Sequence, residues 1–109
     1  MTPGLSVLPL ADRDLDEQAG YLARQVSLET VLHFYDAAAA TFEKLARMPG
    51  IGERRDSTKP RLAELRVWRV EGFEKHLISY RPSGNGIDIV RVLHGARDID
   101  RVLDSDPLD

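Results

Sequence analysis

Apolar residues recur at three- and four-residue intervals as far as Leu45 and then alternate with polar ones from Glu64 onward. This change of period, from about 3.6 to 2, is what most constrains the fold: a helical first half and a stranded second half. In the first half Ala11, Leu15, Ala19 and Leu22 mark an amphipathic helix over Leu10 to Gln25, with Asp12, Asp14, Asp16 and Glu17 crowding its early turns. The alternating aspartates lack the glycine and terminal glutamate of a calcium loop at the required offsets, so they read as helix-capping charge. Ser27 is the expected N-cap of a second helix whose stripe is Val31, Tyr35, Ala38, Phe42 and Leu45, and Pro49-Gly50 is its expected stop. So short a link between the helices demands an antiparallel hairpin.

Ahead of the helices, Leu5-Ser6-Val7-Leu8 lies between Pro3-Gly4 and Pro9 and reads as a short strand. Residues 50–62, with two glycines, a proline and four cationic side chains, read as a loop, and Gly50-Ile51-Gly52 as a helix stop. Glu64–Val70, Lys75–Arg81 and Ile87–His94 read as three strands. Short glycine-bearing links, Glu71 to Glu74 and Pro82 to Gly86, predict an antiparallel meander. Ile87 to Leu93 is apolar on both parities apart from Asp88 and Arg91, as in a strand with neighbours on both sides. Ile99, Val102 and Leu103 allow one more helical turn. The expected order is β-α-α-β-β-β, an α+β two-layer fold with a helical hairpin packed on a small antiparallel sheet. Residues 1–103 are expected to form one domain and residues 104–109 a flexible acidic tail.

No apolar run approaches the roughly 20 residues of a membrane span, and the start of the chain lacks a secretory pattern. There is no cysteine, and His33, His76 and His94 have no metal-ligand spacing, so a cytoplasmic chain with no metal and no cofactor is expected. The net charge of −3 hides an asymmetry. Residues 1–53 carry four basic and eight acidic side chains, residues 54–97 ten and five, and residues 98–109 one and five. A basic middle between acidic ends implies an anionic partner for one face or an internal charge match. Arg91 lies inside the most apolar strand, where a guanidinium needs a carboxylate or carbonyl, and is expected to be a structural brace. His94 could act as a base near neutral pH or simply pack and hydrogen-bond.

The run Ile89-Val90-Arg91-Val92-Leu93-His94-Gly95-Ala96-Arg97-Asp98-Ile99 resembles the C-terminal block of ParE toxins, within the RelE/ParE superfamily. Ala11-Asp12-Arg13-Asp14-Leu15, Met48-Pro49-Gly50-Ile51-Gly52 and Leu77-Ile78-Ser79-Tyr80-Arg81 resemble further blocks of the family, in its order and across nearly the whole chain. The resemblance implies the toxin of a type II toxin–antitoxin pair, a plasmid-stabilisation device neutralised by a ParD-like antitoxin in a heteromeric complex. ParE toxins inhibit DNA gyrase, whereas their RelE cousins are ribosome-dependent mRNA endonucleases, and a shared fold does not choose between them. RelE-like nucleases use two arginines and a tyrosine. Their positions fall here on Leu77, Arg97 and about Leu103, so two of three are missing and an enzyme is not expected. Toxicity and target binding are expected from Arg97, His94 and Asp98, with Arg66, Arg69 and Arg81 as secondary cationic contacts. Antitoxin binding is expected across the hairpin at Leu15, Leu22, Tyr35 and Phe42. Nucleic acid enters only indirectly, through the gyrase–DNA complex, although the basic loop Arg54-Arg55-Lys59-Arg61 permits contact with it.

Overall fold

The computed structural model describes residues 4–54, 64–95 and 101. Strand β1 (Leu5–Val7) leads into helices α1 (Pro9–Gln25) and α2 (Leu28–Arg47). A 3-10 turn, Pro49–Ile51, follows, and then strands β2 (Glu53–Arg54), β3 (Arg66–Val70), β4 (Phe73–Ser83) and β5 (Gly86–His94). The α+β class and the hairpin-on-sheet layering match the reading of the sequence. The sheet does not: it is mixed and five-stranded, in the order β1-β5-β4-β3-β2.

Two departures account for this. β1 pairs parallel to β5, Leu5 opposite Ile87 and Val7 opposite Ile89, which no hairpin rule could anticipate because the two strands come from opposite ends of the chain.

 Only the strand's own length was visible locally. β2 lies in what reads as a loop: its two residues pair with β3, Glu53 opposite Val67 and Arg54 opposite Arg66, through main-chain bonds that need no apolar pattern. The remaining pairs form the expected antiparallel meander, with irregularities at Arg69/Val70 and Ser79/Tyr80. Of the expected C-terminal turn, Arg101 is helical, and the rest, with the acidic tail, lies outside the described residues.

The core forms between the hairpin and one face of the sheet. Ala11, Leu15, Ala19 and Leu22 of α1 and Phe34, Ala38, Phe42 and Leu45 of α2 pack on Ile78, Tyr80, Ile87, Ile89 and Val92. Alternation along the strands sends Val67, Leu77, Val90 and Leu93 to a smaller cluster with Leu8 and Leu65 on the opposite face. Ser27 caps α2 as expected, its hydroxyl accepting from the Thr30 N–H at 3.1 Å. At the other end of α2, Thr41 donates to the Ala37 carbonyl at 2.7 Å and accepts the Glu71 N–H at 3.2 Å, which docks the β3–β4 turn on the helix.

Asp14 is not capping charge. No side chain caps α1, and Asp14 is buried on the helix's inner face. β1 is too short to cover the outer edge of β5: its last bond runs from the Leu8 N–H to the Ile89 carbonyl at 3.0 Å. Beyond that point α1 takes over. Asp14 accepts the Val92 N–H at 3.0 Å, and Gln18, one turn on, donates to the Val92 carbonyl. Two side chains of a helix thus satisfy main-chain groups that a longer strand would have paired.

Candidate functional site

The basic and titratable residues singled out above sit at separate places on the sheet. Arg91 is the expected brace. Its Nε and Nη2 donate to the two oxygens of Asp14 at 2.8 and 3.0 Å, a two-pronged pairing in which both side chains are largely buried. Arg81 holds Asp88 at 3.4 Å. Arg69 is exposed and lies over the Trp68 ring, 4.3 Å from its centroid. Arg97 and Asp98 lie outside the described residues.

His94 is exposed at the end of β5, directly across from buried His76 on β4. The two rings meet edge to face with centroids 5.0 Å apart, and His76 also packs against Phe34 and Phe73. His76 Nδ1 bonds Gln18, the same residue that reaches Val92. Burial first, and the neighbouring His94 second, push the His76 pKa down to about 4. A ring so poised is neutral and a weak base at neutral pH. Among the described residues no group of three or more histidine, cysteine or acidic side chains is placed to hold a metal ion.

Arg66 belongs to a different corner. The Tyr80 hydroxyl, at the centre of it, donates to the Pro49 carbonyl at 2.7 Å and accepts the Gly52 N–H at 2.8 Å. Arg66 Nη1 donates to the carbonyls of Gly52 and Gly50 at 2.8 and 3.3 Å. Gly52 is more than a helix stop here: a Cβ at this position would lie 2.4 Å from the Tyr80 oxygen. The sequence gives no direct signal for this knot, since Tyr80 reads as one more apolar position of a strand.

The hairpin residues expected to meet an antitoxin need correction. Leu15, Leu22 and Phe42 are buried in the core, because the apolar stripe of each helix faces the sheet. Of the four, Tyr35 alone is exposed. Its hydroxyl donates to Asp16 at 2.6 Å, and that bond, with partial burial and the nearby carboxylates of Asp16 and Asp12, pushes its pKa up to about 12. The outer face of the hairpin has its own apolar residues: Leu28 is 74% exposed, Leu32 66%, Val26 63% and Tyr21 53%. No helix among the described residues is long and apolar enough to cross a membrane.

Comparison with known proteins places this geometry. The profile of the family described as "ParE toxin of type II toxin-antitoxin system, parDE" matches residues 5–99. No curated protein matches the chain. Among solved structures, one titled "Chromosomal ParDE TA system from P. aeruginosa" superimposes with a TM-score of 0.67 at 20% identity, covering 84% of this chain and 95% of that one. That likeness concerns the fold. The family match extends from β1 through the end of β5, and the chain belongs to the ParE toxin family of type II toxin–antitoxin systems.

Proposed function

We propose that this ParE toxin acts by binding DNA gyrase rather than by chemistry of its own, and that a ParD-like antitoxin neutralises it. The observation that carries the reading is the surrounding of Leu77. The position at which a RelE-like nuclease would place a catalytic arginine is aliphatic here and packs in the cluster of Val67, Val90 and Leu93. RNA cleavage needs a group to take the 2′-hydroxyl proton and cations for the phosphorane charge. His76, the histidine nearest to that strand position, is buried and bonded to Gln18, which argues against its serving as the base.

Incubation with gyrase, supercoiled plasmid and ATP tests the reading. Loss of supercoiling or accumulation of cleaved DNA is the expected result; ribosome-dependent cuts in mRNA with gyrase untouched would overturn it. Target contacts are assigned to His94 and to Arg97 and Asp98 beyond it. A single charge-assisted hydrogen bond is worth about 1.5–3 kcal/mol, so Arg97→Ala should weaken inhibition about 10- to 100-fold without unfolding the chain.

For the antitoxin, the exposed apolar side chains of Tyr21, Leu28 and Leu32 support an amphipathic segment lying along the outside of the hairpin. Acidic residues on that segment would complement the basic region 54–97. Leu28→Ser with Leu32→Ser should reduce antitoxin affinity while leaving stability unchanged, and unaltered binding by calorimetry would refute this placement.

A further inference from the structure

The β4–β5 hairpin turns on two residues, Gly84 and Asn85, between the paired Ser83 and Gly86. Asn85 is the sole asparagine of the chain; it is exposed, and a glycine follows it. We propose that Asn85-Gly86 is a self-modification site, at which the side-chain amide is lost, the main chain is re-linked as isoaspartate, and β1 is thereby loosened from β5. The reaction needs water and no other reagent.

Two separate demands of the fold put these residues side by side. Gly84 has a φ of +57° and Asn85 a negative one, the arrangement of a type II′ turn, which takes glycine first and a short polar residue second. Gly86 answers to β1 instead. A Cβ on it would overlap the Gly4 carbonyl oxygen, the same oxygen that accepts the Ile87 N–H at 2.7 Å. The close approach of the first strand therefore requires glycine directly after the turn. Imide formation favours the same pair. A glycine nitrogen has no adjoining side chain to hinder its approach to the asparagine amide, and an exposed turn admits the water that completes the reaction.

The Gly86 nitrogen bonds to Asn85 Cγ, and its proton leaves with the amide as ammonia, closing a succinimide. Water then adds hydroxyl to one ring carbonyl and returns a proton to the nitrogen. Opening at the side-chain carbonyl gives aspartate. Opening at the main-chain carbonyl gives isoaspartate, in which the chain runs through Cβ and Cγ and the former main-chain carbonyl is a free carboxylate. The sum is water consumed and ammonia released, with no change of oxidation state. The new carboxylate forms where there is little slack: a Cβ built on Gly4 would lie 3.4 Å from the Asn85 carbonyl oxygen and 3.3 Å from Gly86 Cα. An added main-chain carbon and a negative charge thus arise together beside the Gly4 carbonyl, an acceptor that a carboxylate repels. The bond from Ile87 to Gly4 stands at the start of the β1–β5 ladder, and β1 has only three residues with which to hold on.

The test incubates the folded full chain at mildly alkaline pH beside a urea-unfolded sample. Both are followed by peptide mass spectrometry and by methyl transfer from S-adenosylmethionine with an isoaspartyl methyltransferase. Isoaspartate at position 85 of the folded chain is the expected product. Asn85→Gln, whose longer side chain closes a larger ring far more slowly, should remain unmodified. Hydrogen exchange reads the consequence: the Ile87 amide should exchange several-fold faster in the aged chain and stay protected in aged Asn85→Gln. Freshly prepared Asn85→Asp carries its charge on the exposed side chain and adds no main-chain carbon, so its Ile87 amide should be protected as in the unmodified chain. A folded chain that stays unmodified while the unfolded one converts would overturn the proposal. So would isoaspartate formed with no change at Ile87, or equal loosening in fresh Asn85→Asp. Neither gyrase nor antitoxin enters the experiment, so its failure leaves the proposed function untouched.

Discussion

Two arginines on one sheet meet opposite fates, and the contrast separates the part of this molecule that holds the fold from the part that faces outward. At the α1–β5 seam Arg91 is matched by a carboxylate, Asp14, in a two-pronged pair that is largely buried. At the corner after α2, Arg66 is matched by two carbonyls, those of Gly50 and Gly52. Both guanidiniums are held. In the seam the charge is also cancelled; at the corner it is not. A carbonyl satisfies an N–H but leaves the positive charge to the solvent or to a ligand. The seam is therefore expected to dominate stability, and the corner to make a smaller structural contribution.

The largest effect should come from breaking the seam. Asp14→Ala removes the two-pronged carboxylate from the largely buried Arg91 guanidinium and orphans the Val92 N–H, a change expected to cost about 3–5 kcal/mol in urea unfolding. A domain of this size has only about 5–15 kcal/mol in total. Replacing Arg91 by Met as well as Asp14 by Leu should recover much of the loss, because a buried guanidinium deprived of its carboxylate is costly and the absence of the pair is not. A double variant as unstable as Asp14→Ala would mean that the seam depends on the ion pair itself.

The next effect is a dependence on pH. Gln18 connects the seam to His76, whose pKa is pushed down to about 4 in the folded chain by burial and by His94. Between that value and the ordinary 6.5, the unfolded chain binds a proton that the folded chain refuses. Stability from this source is thus complete above pH 6.5 and is lost as the pH falls toward 4, by about 3 kcal/mol in all. Unfolding free energies measured across that window should show the slope, and His76→Gln should flatten it. An unchanged slope in that variant would assign the acid sensitivity elsewhere.

The corner should respond more mildly. Tyr80→Phe removes one donor and one acceptor, leaving the buried Gly52 N–H without its partner. The expected cost is about 1–3 kcal/mol. The same substitution loosens the carbonyls that hold Arg66. A loss in Tyr80→Phe as large as that in Asp14→Ala would erase the division between seam and corner.

What the sequence disclosed follows the same division. Periodicity located both helices and three strands to within a few residues, since each buries an apolar face, and it marked Arg91 as a charge in need of a partner. It did not supply that partner. Asp14 stands among four acidic residues in the first turns of α1 and looks like helix-end charge; only its place between Ala11 and Leu15 on the inner face distinguishes it. β2 escaped because two residues joined by main-chain bonds leave no pattern. The partner-facing expectation for Leu15, Leu22 and Phe42 failed because an apolar stripe records that something covers it and not whether that is a sheet or another protein. Tyr80 and Gly52 meet only in three dimensions, so neither residue alone points to the corner.

The smallest effect is expected from an ion pair that belongs to neither region. Lys44 on α2 and Glu71 in the β3–β4 turn meet at 2.7 Å, the shortest N–O separation of the ion pairs described above. The Trp68 indole N–H adds a bond to the same carboxylate at 3.2 Å, and these two bonds, that of Lys44 first, hold the Glu71 pKa below its ordinary value. Distance alone would rank this pair with Asp14 and Arg91. Exposure reverses the ranking, because the two side chains keep 33% and 38% of their accessible surface, and water already solvates and screens both charges. A double-mutant cycle with Lys44→Met and Glu71→Gln should therefore give a coupling below about 1 kcal/mol, shrinking further in high salt. The matching cycle for Asp14 and Arg91 should give a coupling several times larger and nearly insensitive to salt, since burial excludes the screening ions. Equal couplings would show that short contact distance, and not removal from water, sets the strength of ion pairs in this fold, and the contrast between the two arginines would lose its physical basis.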